Sequence, residues 1–219
     1  MLLRGRGTRP PCTIHDMAGD GPAVMSALGW DSAHLCSTSM GSGIALATAI
    51  LHPGRVRTVT ATMGGPMRRR DALRFVRFGF FARAARIRHP ATGEGAVRTM
   101  VDLTRMLATP HAPFDEEWAR ATAAISHARA PHDPGSTQRQ AAAGLSPGPL
   151  SARLGEITAP TLLLNGADDP LIRPSAGAAL ARRVPGARAV ILPRMGHLIQ
   201  QHLWTPLADA VAAQAALRP

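Results

Sequence analysis

One stretch, from residue 34 to residue 52, constrains the fold of this chain more than any other because its character changes abruptly. A short apolar run ends in the small polar residues S-T-S at positions 37–39, and an Ala/Ile/Leu-rich segment follows. This pattern predicts a strand, a sharp turn and a helix. Ser39 lies at the turn, between the small residues Ser37 and Gly41. Such a turn strains its central residue, tolerates only small neighbours, and would hold the Ser39 hydroxyl out above a sheet edge.

The helix after this turn would direct its first backbone N–H, that of Met40, at the same place. The positive end of the helix dipole points there as well. The stretch resembles the nucleophile elbow of the α/β-hydrolase family, G-x-S-x-G, with Ser37 in place of the first Gly. The resemblance implies that Ser39 is a nucleophile and that Met40 N–H stabilises an oxyanion. A Ser/Gly-rich loop is the alternative interpretation of this stretch taken alone.

Two further stretches resemble the acid and base loops of the same family. The apolar run at residues 159–165 predicts a strand buried on both faces, as in a parallel sheet. It ends in G-A-D-D-P, where the family places its acid at Asp169; Asp168 is the neighbouring alternative, and an Asp before a Pro is also a common turn or cap residue. A last strand is predicted over residues 187–192, and the M-G-H that follows puts His197 in the base position.

These residues occur along the chain in the order that the resemblance requires. Ser39, Asp169 and His197 follow as nucleophile, acid and base, and each comes just after a predicted strand. The resemblance implies acyl transfer from a small-molecule ester, in which His197 takes the Ser39 proton and Asp169 stabilises its ring. No cofactor is expected, and no pair of histidines has the H-E-x-x-H spacing of a zinc hydrolase.

Composition sets the class of protein that these motifs belong to. With 219 residues and 45% hydrophobic content, the chain can bury one sizeable core. Its cysteines, Cys12 and Cys36, provide neither a disulfide framework nor metal-ligand spacing, which favours a cytoplasmic location. No apolar run is long enough for a bilayer, so no membrane association through a spanning helix is expected.

The predicted organisation is an α/β-hydrolase fold, a mostly parallel sheet flanked by helices, with a helical insertion. Residues 1–65 would form core with the elbow, residues 66–158 a helical cap, and residues 159–219 core with the acid and histidine loops. A further strand is predicted over residues 55–63. Predicted helices cover residues 13–29 with a break near Gly19, 70–88, 95–108, 115–129, 174–184, and 198–216 with a break at Thr205-Pro206.

A cluster of arginines lies at the start of the predicted cap. The formal net charge is +11, and eight arginines fall between Arg68 and Arg88 among four phenylalanines. The favoured interpretation is a solvated helix face. Binding to a membrane surface, an acidic partner or nucleic acid is the alternative, but no nucleic-acid-binding motif accompanies the cluster, so nucleic acid is not expected as a partner.

The first residues resemble a loop that lies further along in the family. The L-L-R-G-R-G of residues 2–7 is similar to the D-x-R-G-x-G-x-S loop after the fourth strand, with Leu2 in the Asp position and Arg9 in the Ser position. The resemblance implies an N-terminally truncated fold that starts after about half of the usual sheet, without the strand-turn that supplies a second oxyanion N–H. The elbow strand would then have an open edge, which favours a homo-oligomer. An inactive fragment and an Arg-rich binding protein on the same scaffold are the alternatives.

Three segments of the chain make the resemblance more specific. The P-F-D-E of residues 113–116, the R-Q-A-A-A of residues 139–143 and the A-P-T-L-L-L-N-G-A-D-D-P-L of residues 159–171 are similar to capped bacterial esterases of the aclacinomycin methylesterase type. Those enzymes remove small alkyl esters from polyketide products, which implies a carboxylic ester as substrate.

Overall fold

A single parallel sheet organises the structure, a computed structural model that describes residues 12–65, 67, 69–130, 133–144 and 148–218. The segment of residues 2–9, with its predicted family loop, lies outside these residues, as does Arg68. Four strands pair in the order β1-β2-β3-β4, all parallel, which confirms the predicted fold class. They are β1 (Ala33–Thr38), β2 (Val56–Thr62), β3 (Thr161–Gly166) and β4 (Arg188–Leu192).

Helices precede, connect and follow these strands. The predicted break in the first helical stretch is confirmed, because the chain interrupts its helix at Ala18 and Gly19. The helices are α1 (Ile14–Met17), α2 (Asp20–Ala27), α3 (Met40–Leu51), α4 (Arg69–Phe75), α5 (Gly79–Ala84), α6 (Gly93–Leu107), α7 (Glu116–Arg129), α8 (Pro134–Gly144), α9 (Ser175–Ala181) and α10 (Trp204–Ala215).

The main core lies between α3 and the inner strands. Leu46 and Ala47 of α3 are fully buried, as are Val59 of β2 and Leu163 of β3. The many alanines of α3 let its backbone approach the sheet closely, and burial of each large side chain contributes about 1.5–3 kcal/mol. This packing fixes the N-terminus of α3, and with it the elbow, relative to the sheet.

The two outer strands differ from the inner ones in exposure. Every residue of β3 is buried, and so is most of β2, whereas β4 is largely exposed. Among the described residues β1 pairs with β2 alone, and its Cys36 is exposed. Partial desolvation nevertheless raises the pKa of the Cys36 thiol, so this side chain stays protonated and weakly nucleophilic at neutral pH.

The prediction of one continuous helix over residues 70–88 is wrong. The chain forms α4 and α5 instead, and between them Val76 makes an antiparallel bridge with Ile172 in the loop after β3. Arg77 N–H donates to Leu171 O and Arg173 N–H donates to Phe75 O, both at 2.8 Å. These backbone bonds replace helical ones, and periodicity within the segment carries no information about a partner so distant in the chain.

The predicted break in the last helix is also wrong. Helix α10 runs without interruption through Thr205 and Pro206 because it begins later than expected, at Trp204. Pro206 therefore falls in the first turn, where a backbone N–H has no acceptor within the helix and its loss costs nothing. Residues 201–203 form a single 3₁₀ turn before it.

Helices α4 to α8 occupy the stretch between β2 and β3, which we call the helical segment (residues 69–144). Helices α6 and α7 have a small core of their own, built from Val97, Val101, Ala119 and Ala123. Asp115 caps α7 by accepting a hydrogen bond from Trp118 N–H at 2.8 Å, as the acidic start of that helix predicts. No helix among the described residues is both long enough and apolar enough to cross a membrane.

Candidate active site

Ser39 lies between β1 and α3 in a conformation that non-glycine residues rarely adopt. Its backbone angles are φ 53° and ψ −121°. Ser39 N–H donates to Thr62 O at 2.8 Å, and Ser39 O accepts from Ser42 N–H at 3.0 Å. A positive φ in a residue with a Cβ costs of order 1–3 kcal/mol and persists only where the surroundings impose it. Here the sheet and the helix impose it from both sides.

The structure shows how much room the small residues on either side of Ser39 have. A Cβ added to Gly41 would lie 3.6 Å from Ser37 Cβ, which leaves contact but no overlap. Ser37 Oγ lies 3.4 Å from Thr60 O, within reach of a long hydrogen bond. The first position of the motif therefore accommodates a hydroxymethyl group. Met40 is the first residue of α3, where a backbone N–H has no acceptor within the helix.

His197 connects the other two predicted residues. Its Nε2 lies 2.9 Å from Ser39 Oγ, and its Nδ1 lies 2.7 Å from Asp169 Oδ2. Asp169 is 1% exposed and His197 9% exposed, so both are almost fully shielded from water. With Nδ1–H donating to the carboxylate, Nε2 is free to accept the Ser39 proton. The geometry is that of a nucleophile, a base and an orienting acid in series.

The backbone just after Asp169 holds its carboxylate in place. Its second carboxylate oxygen, Oδ1, accepts hydrogen bonds from Leu171 N–H at 2.8 Å and Ile172 N–H at 2.7 Å. The two oxygens of the Asp169 carboxylate therefore have different partners. Oδ1 fills the capping role expected of an Asp before a Pro, and Oδ2 is the partner of His197. These two bonds fix the position of the carboxylate beside His197.

Two glycines allow the loops to approach one another. A Cβ on Gly196 would lie 2.4 Å from Leu107 O, and a Cβ on Gly166 would lie 2.1 Å from Met195 O. Both distances are far shorter than a non-bonded carbon–oxygen contact, so only glycine fits. His197 N–H donates to Leu107 O at 2.7 Å, which ties the histidine loop to the end of α6.

Asp168, the alternative acid, points elsewhere. Its Oδ2 accepts from Thr109 Oγ1 at 2.5 Å and lies 2.9 Å from His111 Nδ1. The hydrogen bond from His111, followed by that from Thr109, lowers the pKa of the Asp168 carboxyl. The structure brings Asp169, and not Asp168, to His197.

Sequence reasoning missed the polar contacts that fasten these loops to the helical segment. Buried Gln200 accepts from Thr109 N–H at 2.9 Å through Oε1 and donates to Pro113 O at 3.0 Å through Nε2. Thr109 and Pro113 lie about ninety positions before Gln200 in the chain, and nothing in the sequence around them indicates the pairing.

Backbone strain concentrates at the carboxyl edge of the sheet. Among the described residues, Ser39, Met63 and Arg194 are the non-glycine residues with positive φ, at 53°, 56° and 54°. They follow β1, β2 and β4 by one or two positions. We call residues 39–42, 166–172 and 193–200 the sheet-edge loops; they contain Ser39, Asp169 and His197.

Leu198, the residue after His197, lies in the wall of a cavity of about 530 Å³. Leu198, Phe114, Trp118 and Trp204 give it a largely apolar wall, to which Gln200 and His202 add polar groups. Among the described residues, no three His, Cys, Asp or Glu side chains are grouped as metal ligands.

Comparison with known proteins agrees with this architecture. The sequence model of the α/β hydrolase fold family matches residues 4–201. The chain is 28% identical to rhodomycin D methylesterase DnrP of Streptomyces peucetius, over 95% of this chain and 77% of that protein. It is 27% identical to rhodomycin D methylesterase DauP of Streptomyces sp. strain C5, with the same coverage.

Solved structures show the same fold. The enol-lactonase of Burkholderia xenovorans LB400 superposes with a TM-score of 0.68 at 20% identity, over 96% of this chain and 75% of that one. The meta-cleavage product hydrolase CumD of Pseudomonas fluorescens IP01 gives 0.67 at 20% identity, over 96% and 74%. The resemblance found in the sequence motifs is confirmed: this chain belongs to the α/β-hydrolase fold family.

Proposed function

We propose that this protein is a serine hydrolase that cleaves carboxylic esters with Ser39, His197 and Asp169. The observation that carries the proposal is the continuous hydrogen-bond series from Ser39 Oγ through the His197 ring to Asp169, at 2.9 and 2.7 Å. Its members come from three separate loops, and a purely structural role would not require a nucleophilic oxygen at a strained helix start.

In the first half of the reaction His197 Nε2 takes the Ser39 proton as Oγ attacks the ester carbonyl carbon. The carbonyl oxygen becomes an oxyanion, which Met40 N–H and the N-terminus of α3 would stabilise. His197 then gives the proton to the departing alkoxide, which leaves as the alcohol. An acyl group remains on Ser39 Oγ.

In the second half water replaces the alcohol. His197 takes a proton from water as its oxygen attacks the acyl carbon, and returns that proton to Ser39 Oγ as the carboxylic acid leaves. Asp169 stays ionised throughout and stabilises the imidazolium that forms in each half. Its two bonds from Leu171 N–H and Ile172 N–H keep the carboxylate in place while the charge on the ring changes.

The methylesterase relatives suggest an ester with a small alcohol. Both relatives are rhodomycin D methylesterases, and we propose a methyl or similarly small alkyl ester for this chain. The apolar cavity beyond His197 suits the hydrocarbon part of such a substrate because apolar walls with few polar groups are typical of small-molecule sites. We propose in addition that the helical segment acts as the cap over this site.

The decisive experiment replaces Ser39 and a neighbouring serine in parallel. Ser39→Ala should lower the hydrolysis of p-nitrophenyl acetate by about 10⁴-fold or more, since the nucleophile is lost. Ser37→Ala removes only a long hydrogen bond two residues away and should keep activity within about threefold of the parent.

A covalent probe gives an independent reading of the same site. A fluorophosphonate should modify the Ser39-containing peptide in mass spectra of the parent protein and leave the Ser39→Ala protein unmodified. Retention of most activity by Ser39→Ala, with circular dichroism unchanged, would contradict the proposal. Modification at another serine would contradict it as well.

A further inference from the structure

A second cavity, of about 490 Å³, has Asp168 and Asp169 in its wall but neither Ser39 nor His197. Its walls come from the α4–α5 region and from residues 167–173. Three arginines contribute to the wall: Arg77, Arg83 and Arg173. Two belong to the Arg-rich stretch of the sequence, and the third comes from a loop about ninety residues further along the chain.

These guanidinium groups have unused hydrogen-bonding capacity. Among the described residues, none of the three side chains makes a hydrogen bond or an ion pair, and all three residues are exposed. Elsewhere the arginines of the described chain often find carboxylates, as Arg98 and Arg120 do with Glu94. A guanidinium group presents five N–H donors in a planar fork that suits carboxylate or phosphate oxygens.

The two acids in the wall do not satisfy these arginines. Asp169 is occupied by His197, Leu171 N–H and Ile172 N–H. Asp168 is occupied by Thr109 and His111. Asp168 makes both contacts through Oδ2, so each acid has partners other than the three arginines, and the donors of the arginines remain available to a ligand.

The backbone fixes two of the three arginines relative to each other. Arg77 and Arg173 flank the bridge between Val76 and Ile172, and each donates its own N–H across that bridge at 2.8 Å. A pair of cations held by reciprocal backbone bonds on two packed segments loses little backbone freedom when a ligand binds, and such preorganisation raises affinity.

Apolar groups stand beside the charges. Leu73 is 81% exposed and Phe78 50% exposed, and both line the cavity together with Val76. A ligand that covers them removes apolar surface from water at about 25 cal/mol per Å². The wall thus offers anion-binding donors next to a hydrocarbon surface.

We propose that this cavity is a binding site for an amphipathic anion, a phosphate-type headgroup attached to an apolar body. The site is separate from the proposed ester hydrolysis and does not depend on it. Arg77 and Arg173 bind the anionic oxygens from the two sides of the bridge, Arg83 adds a third cation, and Leu73 and Phe78 contact the apolar body.

The test measures binding by titration calorimetry with three probes: sodium phosphate, phenyl phosphate, and vesicles of phosphatidylglycerol against vesicles of phosphatidylcholine. Phenyl phosphate distinguishes a soluble organic phosphate from a lipid headgroup as the source of the ligand chemistry. We expect phenyl phosphate or the phosphatidylglycerol vesicles to bind at least about tenfold more tightly than inorganic phosphate, because of the apolar contact. Binding should weaken as salt is raised.

Matched double variants separate this site from overall charge. Arg77→Gln with Arg173→Gln should weaken binding about tenfold or more. Arg86→Gln with Arg182→Gln removes the same net charge at two exposed arginines outside the cavity wall and should leave binding unchanged. Circular dichroism and the midpoint of thermal unfolding confirm that both variants fold.

Three results would overturn the proposal. These are failure of both phenyl phosphate and phosphatidylglycerol vesicles to bind, equal weakening in both double variants, and binding of both probes no tighter than that of inorganic phosphate. Each measurement is independent of ester hydrolysis, so failure here leaves the proposed function untouched.

Discussion

The sheet-edge loops and the helical segment hold their charged groups in opposite ways. In the loops, the Asp169 side chain is fully buried and accepts bonds from a histidine and two backbone N–H groups. In the helical segment, Glu94 meets Arg98 and Arg120 at the surface, where all three side chains are about half exposed.

The difference decides what each charge contributes. A buried carboxylate interacts strongly with its partners because water does not screen it, and removal of one partner leaves the others unsatisfied. An exposed pair exchanges its contacts with water and counterions at little net gain. We therefore expect substitutions in the loops to change activity and stability sharply, and charge substitutions on the helical segment to be tolerated.

The largest expected effect tests which acid serves His197. Asp169→Asn should lower kcat/KM for p-nitrophenyl acetate by about 10⁴-fold, because the amide favours the wrong tautomer of His197 and does not stabilise the imidazolium. Asp168→Asn should lower it by less than about tenfold, since its partners are Thr109 and His111. A larger loss in the Asp168 variant would assign the acid to the neighbouring residue.

The next effect tests the close approach of the histidine loop to α6. Gly196→Ala should lower the free energy of unfolding by about 3 kcal/mol, because its Cβ would overlap Leu107 O. Gly155→Ala is the matched control, since a Cβ there meets nothing within 4 Å and φ is not positive. Urea unfolding of both variants measures the difference. Equal stabilities would show that the loop retreats from α6 at no cost.

A smaller effect concerns Asp168 and depends on pH. Asp168→Asn should destabilise the fold at neutral pH by about 1–2 kcal/mol, because it replaces a charged acceptor of two hydrogen bonds. The pKa of this carboxyl is lowered in the folded state, so its contribution is complete above the unfolded pKa and is lost as pH falls through the folded pKa. Urea titrations at neutral and acidic pH should show the gap between parent and variant closing on acidification. A gap that is constant with pH would contradict the assigned cause.

The smallest effect is expected at the surface of the helical segment. Glu94→Gln removes the negative charge that Arg98 and Arg120 share and should leave the midpoint of thermal unfolding and the esterase activity at parent values. Scanning calorimetry at low and physiological salt provides the measurement. A marked, salt-dependent loss of stability would show that this network contributes more than its exposure predicts, and would weaken the contrast between the two regions.

Local signals in the sequence were sufficient where the chain determines its own conformation. The run of small residues around Ser39, the apolar run before Asp169 and the Gly-His after β4 each predicted a strand end with a functional side chain. The structure places these side chains in one hydrogen-bond series because parallel strands align their carboxyl ends. The fold class, and the convergence of these three side chains at one edge of the sheet, were therefore predictable from the motifs and their resemblance to the family.

Contacts between distant segments were beyond such reasoning. Nothing local indicates that Val76 interrupts a helix to pair with Ile172, or that Gln200 bonds Thr109. Helix periodicity shows which face of a segment is buried and which faces water. These contacts depend instead on which other segment the fold places beside it. The basic stretch illustrates the point, because Arg173, which lines the same cavity as Arg77 and Arg83, lies about ninety residues further along the chain.

The strained residues after β1, β2 and β4 carry an evolutionary consequence. Replacement by glycine would relieve a positive φ at any of these sites. At Ser39 the same change would delete the hydroxyl that we propose as the nucleophile, so under this proposal selection for folding alone and selection for chemistry act on this position in opposite directions. A lineage released from its substrate should drift to glycine at position 39 before its core decays, and the residue found there in descendants would record whether the chemistry was still under selection.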